Sequence, residues 1–128
     1  MTGKIEFRYD GTEDIVIATP HWKIETQADV FEWYNQYAVY LKRFDHKMDC
    51  IVVLDDFAIE PSIGSLWGEY RAKLLKELVR FNYRVHSNPR VQLFVNTSGV
   101  RHDVARDEAA TVEEAIEAIK AARRAAGA

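Results

Sequence analysis

A single cysteine, Cys50, leaves the chain without any internal disulfide, so the fold has to be held without oxidative staples. Three prolines and six glycines in 128 residues are too few for a low-complexity linker, and no internal repeat is present. Neither sign of charge dominates. Seventeen basic residues face twenty acidic ones, a net charge of −3, which speaks against broad binding to nucleic acid or to an anionic membrane. No apolar run approaches the length of a membrane span, and Met1-Thr2-Gly3-Lys4 leads into alternation rather than an apolar signal core. The expectation is a cytoplasmic protein. Cys50, inside an apolar run, is expected to be a small core residue.

What is present is a globular composition, 48% apolar and 12% aromatic, in a length that suits one domain over residues 1–128. Lys4–Tyr9 alternates, as a half-buried strand does, and Asp10-Gly11 turns it into a second strand over Asp14–Thr19, which Pro20 should stop. Thr26-Gln27-Ala28-Asp29 has the spacing of a helix start, and Val30, Trp33 or Tyr34, Tyr37, Leu41 and Phe44 continue it at a 3.6-residue period. Met48–Leu54 is continuously apolar and ends at Asp55-Asp56, the pattern of a strand covered on both faces. Pro61-Ser62 opens a second helix with Ile63, Leu66, Tyr70, Leu74, Leu78 and Phe81 on one face and Arg71, Lys73, Lys76 and Glu77 on the rest. Arg90–Val95 reads as a further strand, Val100–Ala110 as loop, and Thr111-Val112-Glu113-Glu114 as a capping box before a closing helix. Right-handed crossovers then make an α/β domain with a mixed four-stranded sheet, β-β-α-β-α-β-α, the first strand antiparallel and the rest parallel.

In such a sheet the functional crevice lies outside the carboxyl ends of the strands. The binding edge is therefore expected from His21, Trp22, Asp55, Asp56, Thr97, Ser98 and His102. Ser62, at the second helix start, has a plain reading as that helix's cap and a functional one as a phosphosite, with Ser65 one turn along. Asp55-Asp56 could serve Mg²⁺-dependent phosphoryl transfer, or Asp55 could simply cap its loop. His21, His46, His86 and His102 have no metal-ligand spacing, and Ser98, His102 and Asp103 lack a nucleophile elbow, so no catalytic set, metal or cofactor is expected. The first helix carries more rings than one stripe needs. Trp33, Tyr37 and Tyr40, with Trp67, are expected either as an interface, for a protein partner or a homodimer, or as core filling.

The order of elements, with Ile51-Val52-Val53-Leu54-Asp55 and Thr111–Ile119 as its strongest local echoes, resembles the STAS fold of anti-sigma factor antagonists of the SpoIIAA type. The likeness spans nearly the whole chain. It implies a non-enzymatic regulatory module that binds a protein partner, such as a kinase or an anti-sigma-like factor. Its switch would be phosphorylation of a serine after the third strand, at Ser62 or Ser65. Where the family reads Asp-Ser, this chain reads Glu60-Pro61-Ser62-Ile63-Gly64-Ser65. A small-molecule or lipid-binding domain, with an apolar pocket between the first two helices, is the alternative.

Overall fold

Alternating side chains build β1 (Lys4–Asp10), and a tight turn returns the chain antiparallel as β2 (Ile15–Ile24). The computed structural model describes residues 3–85 and 108–127. Asp10 holds the turn, its Oδ1 accepting from the amides of Thr12 and Glu13 at 3.0 and 3.2 Å. Asp14 completes it at φ 56°, a conformation aspartate tolerates better than most side chains. β2 runs through Pro20 instead of stopping there. The proline falls between two parallel partners: β2 pairs with β3 (Met48–Val53) through Ala18 and with β4 (Phe57–Ile59) from Trp22 onward. The missing N–H thus sits where the ladder is already interrupted.

α1 (Gln27–Leu41) begins at the capping box formed by Thr26 and Asp29 and ends three residues before Phe44. A short 3₁₀ turn (Pro61–Ile63) leads into α2 (Gly64–Leu78). Here the structure departs from the periodicity. The apolar stripe that reached Phe81 ends at Leu78, and β5 (Val79–Val85) follows with no connecting loop. Val79, Phe81, Tyr83 and Val85 alternate with Arg80, Asn82 and Arg84, a period of two that outweighs one more helical repeat. The strand expected at Arg90–Val95 lies outside the described residues. β6 (Glu108–Ala109), within the segment expected to be loop, pairs with β5, and Thr111 caps α3 (Val112–Ala125) by accepting from the Glu114 amide at 3.1 Å.

Among the described residues the molecule is α/β with one mixed sheet, β1-β2-β3-β5-β6, and β4 beside the outer half of β2. β1 and β2 are antiparallel and every other pairing is parallel. The described residues contribute six strands to the sheet, where four were expected. Successive residues of β2 and β3 go to opposite faces. Val16, Ala18 and Cys50 join Val30, Trp33, Tyr37 and Trp67 under α1 and α2. Ile15, Ile17 and Ile51 join Ala115 and Ile119 under α3.

One charged residue lies in the middle of this arrangement. Asp49, 4% exposed on β3, accepts from Arg80 Nε and Nη2 at 3.0 and 2.9 Å, from the Phe81 amide at 3.2 Å, and from Arg123 Nε at 2.7 Å. Arg123 also donates to the carbonyls of Glu13 and Asp14 in the first turn, at 2.8 and 2.9 Å. One carboxylate so ties β3, β5, α3 and the β1–β2 turn. Removing it leaves the Phe81 amide and the part-buried Arg123 without that acceptor, so Asp49→Ala is expected to cost about 1–3 kcal/mol, read from urea unfolding. Arg80→Ala, whose side chain is 47% exposed, should cost clearly less in the same assay.

Candidate functional site

The carboxyl end of the sheet carries an open cleft of about 490 Å³ lined by His21, Trp22, Asp55, Asp56 and their neighbours in β2 and β4. Four of the residues expected at the binding edge are therefore brought together. Thr97, Ser98 and His102 lie outside the described residues. β4 makes the cleft: the Trp22 amide donates to the Asp56 carbonyl at 3.1 Å and the Glu60 amide to the Ile24 carbonyl at 2.7 Å, so the loop after β3 is laid along β2. Trp22 is itself almost buried, under Gly3, where a Cβ would fall 2.2 Å from its indole. Only glycine lets the chain cross that ring. Gln36 of α1 fixes the crossing, donating to the Gly3 carbonyl and accepting from the Ile5 amide.

His21 is held from both sides. Its Nδ1 lies 2.6 Å from Asp56 Oδ2 and its Nε2 lies 3.4 Å from Glu6 Oε1. The hydrogen bond to Asp56, joined by the charges of Glu6 and Asp56, outweighs desolvation and raises the imidazole pKa above its ordinary 6.5. With a carboxylate at each nitrogen, the ring offers no spare lone pair for proton transfer. It acts as a tether between β1, β2 and the Asp56 loop. Asp56, the second half of the acidic pair, is committed to His21. Among the described residues no group of three or more His, Cys, Asp or Glu is placed to hold a metal ion.

Ser62 and Ser65 lie just past β4, both exposed. Ser62 is not the cap of α2. It sits in the 3₁₀ turn with its Oγ 3.4 Å from Glu60 Oε1, and the residue in the cap position is Ile63, which provides no side-chain acceptor. The first amides of α2 thus lack the usual side-chain partner.

The aromatic residues expected at an interface are placed inside. Trp33, Tyr37 and Trp67 are 4%, 5% and 2% exposed, and Tyr40 is half-buried, stacked on Phe7 at 4.3 Å. β1 extends across this part of α1, so the rings face strand rather than solvent. Phe31 and Val39, two turns apart on the outer side of α1, remain exposed at 43% and 67%.

Trp33, Tyr37 and Trp67 line a partly enclosed cavity of about 30 Å³ between the sheet, α1 and α2. Arg71 and Arg84 line it too, 5% and 1% exposed. Arg71, expected on the polar side of α2, points inward one turn after Trp67, its guanidinium 5.7 Å from the indole centroid. Burial, with the like charge of Arg84, pulls its pKa down to about 9. Arg84 Nη2 donates to Glu108 Oε1 at 3.3 Å. Among the described residues neither Arg71 Nη1 nor Trp67 Nε1 has a hydrogen-bond partner. Burial raises the Tyr37 hydroxyl and the Cys50 thiol pKa values, so both stay protonated. The four-residue step from Trp67 to Arg71 was visible in the sequence; that the arginine lies inward was not, because charge alone places it outside.

No protein-family model matches this chain, and no curated protein matches it.

The raised His21 pKa means that its contacts stabilise the fold fully below pH 6.5 and that this is lost as pH rises through the folded value. A histidine NMR titration should therefore place His21 above 6.5 in the native protein and move it back toward 6.5 in Asp56→Asn. The Tm difference between wild type and His21→Gln should be larger in acid than in mild alkali. An equal difference at both would show that the tether does not titrate.

Proposed function

We propose that this chain is a non-enzymatic regulatory module that binds a protein partner, in the manner of the anti-sigma factor antagonists it resembles. Its switch is phosphorylation of Ser65 or Ser62. The observation that carries this reading is the start of α2, where two exposed serines stand beside helix amides that no side chain caps. A phosphate on Ser65, in the first helical turn, meets those amides and the positive end of the helix dipole. A phosphate on Ser62 first has to displace the contact with Glu60. Either modification adds negative charge at the start of α2, just past β4, and so changes what can dock there. The engagement of both His21 nitrogens supports a binding role over an acid–base one. Phe31 and Val39 on the outer side of α1 offer apolar area for the partner or for a second copy.

A second reading, a domain that holds a small molecule, is favoured by the cavity and by Arg71 Nη1 and Trp67 Nε1, which meet no acceptor among the described residues. The phosphoryl-transfer reading at Asp55 and Asp56 has less behind it, since Asp56 is engaged by His21.

Ser65→Asp should stabilise the fold by about 0.3–1 kcal/mol at low salt through the helix dipole, and Ser65→Lys should destabilise it by a similar amount. Incubation with serine kinases followed by phosphosite mapping should find Ser65 or Ser62. Absence of phosphate at both, with partner binding unaltered by Ser62→Asp and Ser65→Asp, would sink the switch.

A further inference from the structure

Among the described residues the large apolar side chains left exposed gather along one helix. Phe31 and Val39 on α1 are 43% and 67% exposed, and Tyr9 on β1 is 42% exposed. Tyr9 leans on Phe44, just past the end of α1, with ring centroids 5.2 Å apart, and Phe31 meets Tyr70 of α2 edge-on at 5.3 Å. The surface they mark runs the length of α1 on its outer side. Its centre line is Ala28, Phe31, Asn35, Val39 and Lys42, all exposed. At about 100° per residue these five point within about 40° of Asn35. The line has an apolar side chain four residues before Asn35 and another four residues after it. Charge along it is polar from end to end: Glu25, Asp29 and Glu32 lie toward the N-terminal end, Lys42 and Arg43 at the C-terminal end. We propose that this face is a self-association site, on which α1 of a second copy lies antiparallel across Asn35.

A two-fold contact needs a surface that complements itself when turned over. With the axis at Asn35, Phe31 of each copy comes level with Val39 of the other, and Ala28 comes level with Lys42. The small Ala28 side chain leaves room for the Lys42 stem, whose ammonium then reaches Glu32 of the other copy. Within its own chain Glu32 Oε1 accepts from Gln36 at 3.4 Å, a long bond from a neutral donor and weaker than one from an ammonium. The charges also choose the direction. A parallel pair sets acid over acid and base over base, whereas an antiparallel pair sets acid over base and opposes the two helix dipoles. Tyr34 and Tyr70, half-buried beside Phe31, widen the apolar centre. A face with two large exposed apolar side chains falls short of the about 800 Å² per copy of a standard interface, so the pair is weak and forms as concentration rises. Self-association of this kind is independent of phosphorylation at Ser62 or Ser65.

The test uses the full chain in sedimentation equilibrium from low to high micromolar concentration, where the mass should rise from one copy to two. Val39→Glu and Phe31→Glu, both at exposed positions, should each weaken association by about tenfold or more with circular dichroism unchanged. Glu32→Lys and Lys42→Glu should each weaken it, and the double variant, which restores opposite charges across the pair, should recover it. Asn35→Cys meets itself at the axis and should form a disulfide-linked dimer under mild oxidant, because facing helices bring such positions within disulfide reach. Cys50 is buried and does not compete. Glu117→Cys, exposed on α3 across the sheet, is the control and should not cross-link. A single-copy mass at every concentration, with Asn35→Cys no more cross-linked than the control, overturns the proposal and leaves the face to a different protein. A dimer that survives Val39→Glu and Phe31→Glu overturns the face, and a charge swap without recovery overturns the antiparallel arrangement.

Discussion

The Asp49 carboxylate is the contact on which the described architecture converges. It lies on the central strand, almost out of solvent, and its donors come from the next strand and from the last helix, whose Arg123 also donates to carbonyls of the first turn. Those segments are up to 110 residues apart in sequence. A buried carboxylate tolerates desolvation only when its lone pairs are met, so the docking of α3 and the seating of β5 satisfy the same group. Apolar burial under α3 supplies a non-directional attraction; the Asp49 network selects one register for it.

The other face is built on rings rather than ions. Phe7, Trp33, Tyr37, Phe57 and Trp67 form a chain of edge and tilted contacts at 5.1–5.8 Å between β1, α1, β4 and α2. Large rigid rings on a curved sheet leave gaps that smaller side chains would close, and the cavity beside Arg71 is one of them. A polar group in such a place lowers stability unless a partner completes it.

The order of strands and helices was legible because each element carries its own period. β1 alternates, β3 is apolar throughout, and α1 and α3 open on threonine caps with an acid three residues on. Two errors have one cause. Pro20 and the α2–β5 junction were read from local rules, but a neighbour overrode them: a gap between β3 and β4 accommodates the proline, and Asp49 takes the Phe81 amide into the sheet. β4 is three residues long, too short to have a pattern of its own, and exists because β2 offers it an edge. The edge residues His21, Trp22, Asp55 and Asp56 were found together by the rule for strand ends, whereas Trp33, Tyr37 and Trp67 turned out to be core.

By itself the amino-acid sequence determined that this chain forms an α/β sheet with helices on it and no disulfide, since periodicity, caps and cysteine count are properties of neighbouring residues. It also put two serines at a helix start. Tertiary structure alone decided which charges are inside. Asp49 and Arg71 each look like ordinary polar positions in their own segments, yet one is enclosed by arginines and the other by tryptophan and a second arginine. Burial and charge pairing depend on what the rest of the chain brings alongside, and the approach of residues distant in sequence is written in no single segment.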